Sequence, residues 1–481
     1  MHRWLTLGVV SVALFLVVID MTVLYTALPT LARVLETDAS EKLWILNSYS
    51  LVMAALMPVF GALGDKLGQR RIFILGLLVF ALASLLAAFS THAWMLIGAR
   101  ALLGIGGAAM IPSTIALVRL TFSDPKEQAL AIGIWASIAS GGAAVGPVLG
   151  GFLLEHFWWG SVFLINVPII AVALFATALV VPNYAGFKQD PIDFASCVLI
   201  MAAMVLLSFG IKEFALATPN YGLAVSGVLI GLGLLAVFLK RQLTLPYPLV
   251  DLTILKTPAI ASGILVGLIA SLTLVGFELA LSQRLQLVLE KSPLHAGLTI
   301  LPISLGSFLA GPLAGVVIGR IGSSKVLLAG LALTISGIVG YALFRNEALW
   351  LQLISLALLG IGIGSSLTAS SALVMGSVPE ERAGMAGSVE GMAFEFGAAM
   401  GITVFGSLMT AVYVRALSTS DFKTWAGNSL DQAYLNAAHI AQGDALLAHA
   451  KAAFESGFVV TCVGAAIGLT CLCLLLARQR F

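Results

Sequence analysis

The chain has 481 residues, of which 60% are hydrophobic and 10% charged, with a net charge of +2 and a mean hydropathy of +1.05. A soluble domain carries roughly 25% charged residues, so this composition excludes an ordinary water-soluble protein and describes a chain that crosses a bilayer many times. The near-neutral balance gives no sign of a nucleic-acid partner. The four cysteines, Cys197, Cys462, Cys471 and Cys473, sit in apolar runs without metal-ligand or redox spacing.

A membrane-crossing helix needs about 20 mostly apolar residues. On that rule the sequence predicts fourteen spans, over residues 5–28, 44–65, 72–90, 94–118, 128–154, 162–181, 192–211, 222–239, 259–284, 295–318, 326–344, 349–374, 385–412 and 455–477. The first apolar run is too long for a signal peptide and reads as an uncleaved first span. An even number of spans puts both termini on one side. With the termini inside, 15 Lys and Arg fall at inner ends and 9 at outer ends, Arg100 lying within a span, so both termini are expected to be cytoplasmic. Connections are short except for residues 413–454, a partly helical, amphipathic segment expected on the outer side. No soluble catalytic domain appears.

The spans suggest a repeat. Spans 1–6 end near Val181 and spans 9–14 begin near Ala259. Each set has a glycine-rich inner turn between its second and third members, GALGDKLGQRR (Gly61 to Arg71) and GVVIGRIGSSK (Gly315 to Lys325). Gly61 aligns with Gly315 and Gly68 with Gly322, while Asp65 meets Gly319. Two six-helix halves related by a parallel repeat is the logic of a large transporter fold. The expected organisation is an all-α membrane protein: a first bundle over 1–181, an inserted pair of helices over 182–258, and a second bundle over 259–481.

On these motifs the sequence resembles the major facilitator superfamily, specifically its fourteen-span drug/proton antiporters of the QacA and SmvA type, over nearly the whole chain. The first-span pattern appears as IDMTVLYTALP, with Tyr25 where Asn is common. The inner turn is intact as GALGDKLGQRR. In span 4 the family's R-x-x-Q-G is RALLG, so Arg100 and Gly104 match and Leu103 replaces Gln. WWGSVFLINVP (Trp158 to Pro168) and RLQLVLEKSPLHAGLTILP (Arg284 to Pro302) follow further family patterns.

The most diagnostic stretch is GIWASIASGGAAVGPVLGG. It keeps every spacing of the antiporter signature at Gly133, Gly142, Gly146, Pro147, Gly150 and Gly151. In a soluble helix each interior Gly costs about 1 kcal/mol and Pro about 3 relative to Ala. In lipid, small residues let helices approach closely and neighbours re-satisfy the carbonyl that proline frees. Gly142, Gly146 and Gly150 recur every four residues, so they form a smooth ridge. That ridge is expected to press against a helix of the other half, with Pro147 bending the span.

Ionisable residues inside spans are costly and mark proton or substrate paths. Five stand out: Asp20, Arg100, Glu278, Glu390 and Glu395. Asp20 lies about 5 Å, and Arg100 roughly 9 Å, outward of the middle of its span at 1.5 Å per residue. Because spans 1 and 4 pack together in the fold the resemblance implies, these two are expected to meet and to act as a protonation switch; a static pair that only fixes packing is the alternative. Glu390 and Glu395 are five residues, or about 140°, apart on their helix, so they cannot both aim at one narrow site. At least one is expected to face the central cavity, with Glu395 favoured because Phe394 and Phe396 flank it and aromatic faces suit a lipophilic cation. Glu278 is either cavity-lining or interfacial. Within the spans acids outnumber bases four to one, which favours positive cargo.

In the inner turn, Gly61, Gly64, Asp65, Gly68, Arg70 and Arg71 form a gate motif. Asp65 is expected either at the positive end of another helix or paired with Lys66, Arg70 or Arg71, latching the inner side closed. The six histidines are scattered singly, so no cluster supports a membrane enzyme. No filter-like turn supports a channel, and no Walker-type loop supports ATP drive. The resemblance implies a proton-coupled exporter of lipophilic cations (quaternary ammonium antiseptics, dyes and viologens) in a bacterial inner membrane, acting as a monomer with no metal or cofactor. The alternative is a proton-coupled exporter of an endogenous small molecule or a self-made antibiotic.

Overall fold

The computed structural model describes residues 2–183, 193–378 and 383–478, and these are helical almost throughout. In chain order the helices are α1 (His2–Val34), α2 (Ala39–Leu67), α3 (Gln69–Ala88), α4 (Ala93–Thr121), α5 (Pro125–His156), α6 (Ser161–Leu164), α7 (Asn166–Val180), α8 (Phe194–Glu213), α9 (Tyr221–Thr244), α10 (Pro258–Gln283), α11 (Pro293–Ile321), α12 (Ser323–Phe344), α13 (Leu349–Gly376), α14 (Ala383–Leu417), α15 (Lys423–Ala426), α16 (Leu430–Ala437) and α17 (Gly443–Arg478). Among the described residues thirteen helical segments are long and apolar enough to cross a membrane, α6 and α7 together making one of them. The fifth expected span, 128–154, lies within the 32-residue α5.

Helix starts follow local chemistry. Asp38, Asp124, Asp193, Asn220 and Ser292 each accept a bond from a backbone N–H in the first turn that follows, satisfying donors that have no intrahelical partner. Gly68 and Gly322 both have positive φ, +99° and +88°, and each ends one helix and opens the next. These are the two glycines that the repeat aligns, and both inner turns require the left-handed backbone that glycine permits.

One hydrophobic core joins α1 to α7, from Leu7 to Val181. A second joins α10 to α17, from Val266 to Leu476. Val275, Leu279, Ala398 and Ile402 belong to the first core although they lie on α10 and α14, so the two bundles share a packed seam. The inserted pair packs on itself at Gly210, Gly227 and Gly231. It also lies along the seam, with Ile200 and Met204 of α8 and Phe238 of α9 clustering with Leu51, Ala54 and Ala55 of α2 and Ala399 of α14.

Three element boundaries differ from the sequence expectation. Span 6 is broken at Ile165, which separates α6 from α7. Span 9 does not end at 284 but continues as a π-helical turn, Arg284–Val288, in which Leu289 N–H reaches the Arg284 carbonyl. The connection placed at 413–454 shrinks to 418–442, because α14 and α17 extend past their apolar runs, α17 burying Leu446, Ala450, Ala453 and Phe454 while Asp444 and His449 stay exposed. Within it α15 and α16 fold back over the seam at the face away from the termini.

The second bundle depends on close backbone approach. A Cβ at Gly360 of α13 would collide with the Ile303 carbonyl of α11, whereas one at Gly315 would meet nothing within 4 Å. Gly360→Val is expected to destabilise the protein by about 1–3 kcal/mol through overpacking. Gly315→Ala should stay within about 1 kcal/mol of the parent. Thermal melting of detergent-purified protein reads both.

Candidate functional site

Asp20 of α1 and Arg100 of α4 form an ion pair at the centre of the first bundle, each only 2% exposed. A buried pair holds only if its remaining hydrogen-bonding capacity is also met. Here Asn166 Nδ2 donates to Asp20 Oδ1 at 3.2 Å and to Ser84 Oγ at 3.3 Å. Arg100 Nε donates to the Ile45 carbonyl at 3.3 Å, and its guanidinium lies 4.3 Å from the centre of the Tyr49 ring. Asn166 is the first residue of α7 and is fully buried. The centre thus draws on α1, α2, α3, α4 and α7.

Beside it, across the seam, lie the acids of the second bundle. Glu395 of α14 is buried, with Oε2 unpartnered. Glu278 of α10 is likewise buried. Both carboxylates lie within electrostatic range of the buried Tyr25 hydroxyl, and Glu395 also within range of Tyr49. Glu390 is half-buried and accepts a bond from Ser371 of α13 at 3.2 Å, within its own bundle.

The glycine signature packs differently from the expectation. Added Cβ atoms at Gly142, Gly146 and Gly150 would meet Phe15, Val18, Thr22 and Val23, so this ridge faces α1 of the same bundle, not a helix of the other half. The surface that meets the other half is displaced by one residue, to Ala143, Pro147 and Gly151. A Cβ at Gly151 would collide with Leu294 of α11, and one at Gly297 of α11 with the Pro147 carbonyl. The reason is rotation: one residue is 100° on a helix, and α5 is held between α1 and α11. Gly133 lies on α5 outside the residues whose surroundings are described.

In the inner turn Asp65 accepts from Gln69 Nε2 at 2.9 Å; no bond to Lys66, Arg70 or Arg71 is seen among the described residues. Arg70 instead donates to the Ala178 carbonyl near the end of α7 at 2.9 Å, where a cation complements the helix dipole. Arg71 is exposed, Gly64 packs against the Gln69 side chain, and Gly61 has only Pro112 within 4 Å. The two polar ends of this turn are thereby tied within the first bundle.

The hydrogen bonds and ion pairs that cross between bundles gather toward the face away from the termini. Asn47 Nδ2 donates to Thr403 Oγ1 at 2.6 Å, and Leu294 N–H donates to Glu155 at 3.3 Å. Lys42 of α2 pairs with Asp431 of α16 and donates to Gln283 of α10 at 3.3 Å. Arg33 lies over the Tyr434 ring of α16 at 5.1 Å.

A profile of the Major Facilitator Superfamily matches residues 10–289 and 259–419. The chain belongs to the major facilitator superfamily. It is 42% identical over 411 residues to the methyl viologen resistance protein SmvA of Salmonella typhimurium, covering 85% of this chain and 83% of that one. It is 38% identical over 477 residues to the multidrug efflux pump LfrA of Mycolicibacterium smegmatis, covering 97% and 94%. The tetracenomycin C resistance and export protein of Streptomyces glaucescens is 30% identical over 418 residues, covering 85% and 76%. Among solved structures, a bacterial homologue of the human lysosomal transporter Spinster shares the fold at a TM-score of 0.69 and 16% identity, covering 99% of this chain and 97% of that one. As a member of the superfamily the protein is a multi-pass membrane transporter and not an enzyme.

Several buried polar residues of this transporter escape a reading by spans. Lys42, Lys212 and Arg284 are buried alongside Arg100, so the four-to-one excess of acids does not hold. Lys42 and Lys212 lie just beyond the ends of apolar runs and Arg284 at the last residue of one, each on a helix that continues past it. Lys42 is neutralised by Asp431, and Arg284 by Glu455 at 2.7 Å. Lys212 Nζ lies 3.8 Å from the centre of the Trp44 ring. Asn166 had one legible signal, a polar side chain two residues before a proline inside an apolar run.

Removing the Asp20 carboxylate without replacing it strands a buried guanidinium. Asp20→Leu is expected to cost about 3–5 kcal/mol. Asp20→Asn, which still accepts from Arg100 and Asn166, should keep most of the folded yield. Fluorescence-detected gel filtration after a temperature ramp separates the two variants.

Proposed function

We propose that this transporter exports lipophilic cations in exchange for protons by alternating access. The observation that carries the reading is a buried, breakable Asp20–Arg100 pair in one bundle and a buried carboxylate with an unpartnered oxygen, Glu395, in the other, both within electrostatic range of Tyr49. The names of SmvA and LfrA support export of drugs, and methyl viologen is itself a dication.

In the proposed cycle the termini and the inner turns face the cytoplasm, as the Lys and Arg bias favours. The bonds gathered at the opposite face then make this an outward-closed state. A proton from outside neutralises Asp20 and frees Arg100 from its partner. Arg100 remains charged, held by the Ile45 carbonyl and the Tyr49 ring, and Tyr25 lies within electrostatic range of Arg100, Glu395 and Glu278 alike. Proton and cationic cargo thus act in opposition on one electrostatic centre, because a positive charge near either acid and a free Arg100 repel in low dielectric. Of the two acids in α14, Glu395 is the cargo carboxylate and Glu390, tied to Ser371, lies on the cytoplasmic approach.

The second reading, export of a self-made antibiotic, is favoured by the tetracenomycin C exporter among the relatives. Transport assays with tetracenomycin C and with a lipophilic cation decide between the two.

Two outcomes are expected in proteoliposomes with an imposed pH gradient. Asp20→Asn should abolish gradient-driven export of a fluorescent cation while leaving its binding within about threefold; export that still follows the gradient overturns the coupling role. Glu395→Gln should weaken methyl viologen binding by about tenfold, or 1.4 kcal/mol, and affect a neutral substrate little. Equal losses for both substrates would assign Glu395 to packing.

A further inference from the structure

A proline inside a helix has no N–H, so the carbonyl four residues earlier loses its partner. In a bilayer that carbonyl has no water to turn to and must be satisfied by protein. Two buried prolines of the first bundle, Pro29 in α1 and Pro147 in α5, free the carbonyls of Tyr25 and Ala143. Both carbonyls accept a serine hydroxyl from the other bundle. Ser282 Oγ of α10 donates to the Tyr25 carbonyl at 2.8 Å, and Ser304 Oγ of α11 donates to the Ala143 carbonyl at 3.2 Å. Next to the first, Gln286 Nε2 donates to the Thr26 carbonyl at 2.9 Å and to Ser282 Oγ at 3.1 Å. Next to the second, Gly297 lets α11 approach the Pro147 carbonyl.

The two sites repeat one design on different helix pairs: a proline-freed acceptor in the first bundle and a serine donor in the second, both toward the face away from the termini. The donors have an alternative when the bundles part. A helical serine or threonine readily bonds its own carbonyl four residues back, as Thr273, Ser355 and Thr368 do here. Ser282 can turn to the Glu278 carbonyl and Ser304 to that of Ile300, while the freed acceptors meet water entering the opened face. Neither partner is stranded in either state, so the bond can be made and broken in each cycle.

We propose that Ser282 and Ser304 are gating residues, locking the closed state of this face by capping the carbonyls that Pro29 and Pro147 leave free. The proposal rests on alternating access, but on neither the cargo nor the coupling ion, and its test reads conformation alone. Spin labels are placed at His92→Cys and Glu347→Cys, exposed positions in loops of the two bundles at this face, after replacement of the four native cysteines. Distances are measured in nanodiscs at a pH where the parent shows both open and closed populations.

Ser282→Ala and Ser304→Ala should each raise the open-to-closed ratio about threefold, the average strength of an interhelical bond in a membrane protein. The double variant should reach about tenfold, because the sites are separate. Ser282→Thr, which keeps the hydroxyl, should stay near the parent. In a Pro29→Ala background the Tyr25 carbonyl regains its own N–H, and Ser282→Ala should then have no further effect. Unchanged distances in both alanine variants would overturn the proposal. So would an equal effect of Ser282→Ala with and without Pro29, since that would make the serine a packing residue independent of the freed carbonyl.

Discussion

In a bilayer every polar group must find its partner inside the protein, and that constraint governs the polar architecture of this transporter. Asp20 and Arg100 are tolerable at the centre of an apolar bundle because Asn166, the Ile45 carbonyl and the Tyr49 ring complete their surroundings. Asn166, the first residue of α7, donates to both Asp20 and Ser84. A low-dielectric setting strengthens this cluster while it is satisfied and makes it costly once one member changes its charge. A change of charge at Asp20 would therefore bear on the whole cluster.

The constraint also shapes how the bundles meet. Helices in lipid gain little from hydrophobicity and associate through close packing and hydrogen bonds. The seam accordingly uses glycines that permit backbone contact, together with a small number of side-chain bonds. These are concentrated toward one face, where α16 adds the buried Lys42–Asp431 pair and the Arg33–Tyr434 contact. The segment between the last two spans is thus a strap across both bundles. The inserted pair likewise lies on the seam, with Lys212 against Trp44 of α2 and Ser208 accepting from Thr403 of α14 at 3.3 Å. Anything that separates the bundles at this face must also shift the strap and slide past α8.

Much of the fold and part of the site were legible in the sequence. Apolar run length marks a span whatever its neighbours are, because lipid thickness sets it. Asp20, Arg100, Glu278, Glu390 and Glu395 stand out because a charge in an apolar run is rare. Gly68 and Gly322 mark equivalent turns because only a residue without a side chain takes that backbone easily. The glycine signature was legible as a close-packing surface, although its partner was not: which ridge faces α1 and which faces α11 is a matter of about 100° of rotation. Lys42, Arg284 and Asp431 were missed because each lies at the end of an apolar run or beyond it, where solvent and burial look alike in sequence.

By itself, then, the sequence determined a many-spanned helical membrane protein of a transporter family, and it marked the few charges set within apolar runs. Only the tertiary structure decided which of those charges meet, that Asn166 joins them, that the ridge facing the other half is Ala143, Pro147 and Gly151, and that a serine across the seam caps each carbonyl freed by Pro29 and Pro147. The division has one physical cause. Solvent preference and backbone propensity act residue by residue and can be read along the chain, whereas pairing depends on how helices distant in sequence are rotated and set against one another.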